Sequence, residues 1–286
     1  LPLEETKINE FLEKLNVKIP TNPKVLSLIT NPLMLGLYAD SEKYSEMYKK
    51  QSGMYNIKLE SEPDSATKII YNFMQTQLFQ MASVSNENSD YILYHVLIDY
   101  ALPTVAYYMI KSDRLLAEKD IRSILKQTMD EGDKHFQWYI DVIMEDLWDD
   151  FGENEEYISR KDIKKIHEFA IKKYRFLYVN NRSDYENDPA VEFLHQEFRD
   201  YFAGVYLANE IRMLGMGRKY ITDNFRDILG LSDKVMNEEI LEYCGGVLHE
   251  ENACPRLEEN GYVFPGKNGK SPSNCSATEI ALHSLK

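Results

Sequence analysis

Apolar residues recur at helical spacing from the start of the chain, where Ile8, Phe11, Leu12 and Leu15 predict a helix over Glu4 to Leu15. Pro23 sits where a second helix can open, and Val25, Leu26, Leu28 and Ile29 carry it to Asn31-Pro32, a dipeptide that ends one helix and can begin another. Leu33 to Ala39 reads as an apolar turn or two. Asp40 to Asp64 has little period and contains Gly53 and Pro63, so it reads as a connector with at most one exposed helix, and a domain boundary is expected near Pro63. From Ser65 the helical period returns at Ile69, Ile70, Phe73, Met74, Leu78 and Met81, and the polar stretch Ser83 to Asp90 closes that element.

Helices are expected next over Tyr91 to Ser112, Ala117 to Met129 and Ser159 to Lys173, the last introduced by a Ser159/Asp162 capping signal. The period then changes. Arg175 to Val179 and Val191 to Leu194 are short β-type runs separated by the turn-rich Asn180 to Pro189. Phe198, Phe202, Val205 and Ala208 or Asn209 then mark a long amphipathic helix reaching about Leu214, its aromatic stripe assigned to core packing. The chain stays helical past Gly217 through Leu248, and the remainder, rich in Gly and Pro from Gly261 to Pro272, reads as loop with a final helical turn from Ala277. The fold class expected is mainly α: a helical bundle, a winged-helix domain with a small β-hairpin, then further helices.

Composition narrows the functions open to such a chain. With 286 residues, 43% hydrophobic, it can bury ordinary cores and is expected to be globular. The formal charge of −14 repels phosphate backbones and anionic lipid from most of the surface. The most apolar long stretch, Tyr91 to Ile110, contains Asp99 and Pro103 and reads as a buried helical pair, not as a membrane span. Three Cys at irregular spacing do not make a disulfide framework, which favours a reducing cytoplasm. The chain opens at Leu1 without an initiator Met, and a piece of a longer protein is expected.

Catalytic signatures are missing from the sequence. Gly261 to Lys267 has the spacing G-x-x-x-x-G-K, but Asn268 stands where a magnesium-binding hydroxyl is required, and Phe264, Pro265 and Pro272 hinder the loop and its helix. Cys244, His249 and Cys254 lack the close ligand pair of a structural zinc site, and a buried thiol is the expectation for Cys244. Paired acids such as Glu155-Glu156, Asp149-Asp150 and Glu238-Glu239 read as charge for solubility. No metal ligand set and no catalytic residue is assigned.

Three blocks carry a family resemblance. Phe193 to Ala208, which reads FLHQEFRDYFAGVYLA, resembles the F-x-H-x-x-F-x-E-[FY]-x-A-A-x-x-L block at the end of the winged helix of NACHT-family signal-transduction NTPases. It departs from that block at Asp200, where Glu is usual, and at Gly204, where a second Ala is usual. Asn31 to Tyr38 is similar to the family's N-P-L-x-L-x-L segment, and Leu102 to Ala106 to a recurring winged-helix segment; the three lie in the family's order. The resemblance implies a helical domain over 1–62, a winged-helix domain over 63–215, and a helical linker or sensor region over 216–286.

By the same resemblance, the chain is the regulatory arm of a signalling ATPase, closed on ADP and opened by ATP, that couples the nucleotide to oligomerisation, in a setting such as bacterial defence or stress signalling. ADP or ATP with Mg would be held by an upstream nucleotide-binding core, and no tight nucleotide binding is expected of this chain alone. Two residues are carried over as nucleotide contacts. Pro32 would pack its ring on adenine, and His195 would approach the β-phosphate of ADP. Helix punctuation for Pro32 and a helix-capping role for His195 are the plainer readings of the same residues. Arg199 and Asp200 are left open as partners of the upstream core.

A winged-helix DNA-binding regulator is the alternative, along with a purely helical protein-interaction module. Arg160, Lys161, Lys164, Lys165, Lys172, Lys173 and Arg175 cluster around the third predicted helix, but Asp184, Glu186 and Asp188 in the candidate wing would face phosphates unfavourably.

Overall fold

A computed structural model describes residues 2–51, 63–84, 93–112, 116–128, 136, 166, 170, 176–180, 189–215 and 238–251. The described residues are mainly helical, with one small antiparallel sheet. They divide into two compact units, one holding those through His95 and the other those from Val96 on. Segment 63–95 falls within the first of these compact units.

The first unit is built by strong local signals. Helix α1, Glu5–Lys14, buries Ile8 and Leu12 and ends in a Schellman turn. Asn16 adopts the left-handed conformation (φ 53°), Asn16 N–H donates to Glu13 O at 3.0 Å, and Val17 N–H donates to Leu12 O at 2.9 Å. Val17 and Leu12, the apolar pair of that motif, are both buried. Helices α2, Pro23–Leu28, and α3, Pro32–Gln51, start alike: proline takes the first position, and the preceding Asn side chain accepts an orphan amide, Lys24 N–H on Asn22 at 3.0 Å and Leu33 N–H on Asn31 at 2.9 Å. The Tyr38 hydroxyl donates to Lys18 O at 3.1 Å and fastens α3 to the turn after α1.

Helix α3 is far longer than the turn or two expected after Pro32. The polar run Asp40 to Gln51 contains no Gly or Pro and is rich in Glu and Lys, which are good helix formers, so it continues the helix without an apolar period to announce it. Helix α4, Ala66–Val84, is capped by Ser65, whose hydroxyl accepts from Lys68 N–H at 3.2 Å, and it packs on α3.

In the second unit, a π turn over Leu97–Ala101 leads into α5, Leu102–Ser112. The two-residue strand β1, Leu116–Ala117, and helix α6, Glu118–Thr128, follow, and Asp120 caps α6 by accepting from Ala117 N–H at 3.2 Å. Strands β2, Leu177–Asn180, and β3, Ala190–Phe193, pair antiparallel with Leu177 opposite Phe193 and Tyr178 opposite Glu192. Strand β1 joins the far edge of β3, Leu116 opposite Val191, giving the order β1-β3-β2. Of the helix expected over Ser159 to Lys173 only Ile166 and Ala170 are described, and both are buried.

Helix α7, Gln196–Gly215, is the axis of this unit. The sequence presents it as amphipathic, yet Tyr201 to Val205, Leu207, Ala208 and Glu210 are all buried, because α5 and α8, Glu238–Glu251, both pack along it. The aromatic stripe does face the core: Phe202 lies 5.7 Å from Phe176 and 5.9 Å from Phe193, and Phe198 lies 5.5 Å from Phe176, ring centre to ring centre. Tyr206 stacks parallel on Tyr107 of α5 at 4.4 Å. Among the described residues no helix is long and apolar enough to cross a membrane.

Candidate functional site

The β3–α7 junction fixes backbone and leaves side chains outside. Beyond the end of β3, Leu194 N–H donates to Phe176 O at 2.9 Å, which ties the junction to the residue before β2. His195 follows, and its carbonyl accepts from Arg199 N–H at 3.4 Å to open α7. The His195 side chain is exposed, with its ring 6.3 Å from Phe198, and Leu194 beside it is 50% exposed. An imidazole held there is open to a partner through a ring nitrogen.

One turn into α7 lies a buried carboxylate. Asp200 is 2% exposed and accepts from Arg199 Nε at 3.0 Å and Nη2 at 2.9 Å, both on Oδ1, and from Gln196 Nε2 at 3.2 Å on Oδ2. The Arg199–Asp200 pair is thus made within the helix. A buried carboxylate requires such a charged partner and saturating hydrogen bonds. On the outward side of the sheet, the Tyr178 hydroxyl and Asn180 Nδ2 both donate to Glu192, and these bonds, Tyr178 first, hold the Glu192 carboxyl below its usual range.

Helix α8 closes on α7 beside this network. A methyl built on Gly204 would lie 2.7 Å from Tyr243 Cβ, 2.8 Å from Cys244 N and 3.1 Å from Ile240 O, so the two backbones approach more closely than any side chain at 204 would allow. Burial, followed by the charges of Glu197, Asp200, Glu239 and Glu242, pushes the Tyr243 phenol well above its ordinary range. Cys244 is buried, as a small apolar side chain would be; the His249 side chain and Cys254 lie outside the described residues.

Pro32 stands in the first unit and His195 in the second. Pro32 is exposed at the first position of α3, preceded by its capping Asn31. Thr21-Asn22-Pro23 repeats the Thr30-Asn31-Pro32 sequence and does the same capping work for α2, so the helix-opening role of Pro32 is fully accounted for by local physics. Among the described residues no group of three His, Cys, Asp or Glu is gathered as a metal site would need. The glycine-rich stretch 261–268 and the basic residues Arg160 to Arg175 lie outside the described residues. Gly204 and Asn209, whose contacts organise the second unit, were not assigned from sequence; an isolated glycine inside a helical pattern is the signal for the first.

Comparison with family models, with curated proteins and with solved structures returns no match for the chain.

Proposed function

We propose that the chain is the regulatory arm of a NACHT-type signalling ATPase, which reads the nucleotide held by an upstream core and couples it to self-association. The observation that carries this reading is the exposed His195 ring on a junction whose backbone is anchored to Phe176 on one side and to the first turn of α7 on the other. A winged-helix assignment for the second unit is supported by its element order. Among the described residues, a helix, a single strand, a helix, and then two antiparallel strands produce a sheet in which the first strand pairs with the last. The exposed ring of Pro32 supports an adenine contact alongside its helix-opening role. In this reading the upstream core holds ADP or ATP with Mg, and this chain contributes one hydrogen-bonding group and one apolar face.

The test is ADP release from a polypeptide that carries the nucleotide-binding core joined to this chain. A hydrogen bond to a charged phosphate contributes about 1.5–3 kcal/mol. His195→Ala is therefore expected to speed ADP release by roughly tenfold or more and to promote assembly without nucleotide exchange. The side chain is exposed, so the far-ultraviolet circular dichroism should not change. Unchanged ADP release from the folded variant would sink the role of His195. Micromolar ADP affinity of this chain alone, measured by calorimetry, would contradict the division of labour.

A further inference from the structure

Strand β2 lies on β3 in one register, with Tyr178 opposite Glu192 and Asn180 opposite Ala190. A slip by one position would turn Leu177 out of the core and Tyr178 into it, so the apolar alternation excludes it. A slip by two keeps the alternation and moves β2 along β3 by about 7 Å. On the inward face, the contacts of Phe176 and Phe193 with Phe202 oppose that slip. On the outward face the register is read by Glu192. Its Oε2 accepts from the Tyr178 hydroxyl, on the residue directly opposite, at 2.5 Å, and its Oε1 accepts from Asn180 Nδ2, two residues further along β2, at 2.8 Å. A slip by two would set Ala190 or Leu194 opposite Tyr178, and neither side chain can accept the phenol proton.

We infer that Glu192 is a positioning residue: by taking one hydrogen bond from each of two β2 side chains it fixes β2 against β3 on the outward face, and through that register it places the point where the chain leaves the sheet at His195. The connection is short. One pair beyond Tyr178 and Glu192, Leu194 N–H donates to Phe176 O at 2.9 Å, and His195 is the next residue. A slipped β2 would bring a different residue to Phe176 O and release Leu194 from it. The two titrating groups respond as a phenol–carboxylate bond requires: Tyr178 ionises above its ordinary value and Glu192 below its own, each chiefly through the bond to the other. This role of Glu192 holds whatever His195 binds.

The experiment uses the whole chain with isotope-labelled tyrosine and reads two signals by NMR, amide exchange at Leu194 and the alkaline titration of the Tyr178 ring. Glu192→Ala removes both acceptors. It is expected to speed Leu194 exchange on the order of tenfold and to return the Tyr178 phenol toward its ordinary value. Glu192→Gln keeps a carbonyl for the phenol, and its amide can meet the Asn180 carbonyl, so Leu194 exchange should stay within about twofold of the native rate. Tyr178→Phe keeps the ring, drops a single donor and should speed Leu194 exchange roughly threefold. A lowered Tyr178 ionisation with unchanged Leu194 exchange overturns the positioning role, as does equal acceleration by the Gln and Ala variants. Should Glu192→Ala fail to fold, Tyr178→Phe decides alone: unchanged Leu194 exchange in it overturns the inference.

Discussion

The same chemical change, Gly→Ala inside a helix, should have opposite effects at two positions of this chain. At Gly36 in α3 an added methyl meets no described atom within 4 Å. There the intrinsic preference decides, and Gly36→Ala should stabilise the first unit by about 0.5–1 kcal/mol. At Gly204 in α7 the methyl would lie 2.7 Å from Tyr243 Cβ and 2.8 Å from Cys244 N, where carbon atoms rest at about 3.5–4.0 Å. The obstructing atoms belong to the backbone and Cβ of α8, not to the far end of a flexible side chain, so α8 as a whole must shift by roughly 1 Å. That shift disturbs Ile240, Tyr243, Cys244, Val247 and Leu248, all buried. Overpacking of this kind costs about 1–3 kcal/mol, which exceeds the propensity gain of about 1 kcal/mol. Gly204→Ala should therefore lower stability by up to about 2 kcal/mol. Because the chain has two compact units, a single urea midpoint can average separate transitions, so peptide-resolved hydrogen exchange is the better assay. Protection should fall in α8 for Gly204→Ala and rise in α3 for Gly36→Ala. Equal stabilisation by both substitutions would refute the close approach of α7 and α8.

Asn16 sits at φ 53°, a conformation β-branched residues resist; Asn16→Val should cost about 1–2 kcal/mol and Asn16→Gly little, as hydrogen exchange in α1 would show. The Tyr243 phenol is raised above its ordinary value of 10.0, chiefly by burial. A raised folded-state value means that its contribution is fully present below pH 10 and is lost as pH climbs through the folded-state value. Absorbance at 295 nm should show a tyrosine class that ionises only with alkaline unfolding, and Tyr243→Phe should remove one residue from it; a Tyr243 that ionises with the exposed tyrosines would contradict its burial.

Legibility followed the strength of local chemistry. Helices α1 and α2 could be read because apolar residues and Asn-Pro starts mark them, and the β2–β3 hairpin because two β-type runs flank a turn-rich stretch, with each strand one or two residues from its expected limits. Helix α3 outruns its apolar signal because its second half is polar and carries no period. Strand β1 could not be seen, since two residues have no alternation and their partner in β3 is supplied by tertiary structure alone. At the candidate site, the exposure of His195 and the burial of the Phe198/Phe202 stripe agree with a strand-to-helix reading, while the burial of Asp200, a charged residue, is not signalled by the apolar period of α7. Pro103 argues in the sequence against a membrane span, whereas the bond from Asn209 Nδ2 to Asp99 O exists only through the packing of α7 against the turn.

The short pairing of β1 with β3 bears on how the second unit assembles. Strands β2 and β3 are near neighbours in sequence and can zip from their connection, whereas Leu116 and Val191 must meet across a long intervening chain. Closing that loop carries an entropy cost that only a handful of ladder bonds and two side chains offset directly. The hairpin and the aromatic cluster under α7 are therefore expected to form before β1 docks, which would leave the β1-facing edge of β3 open to pairing with another molecule until it is covered.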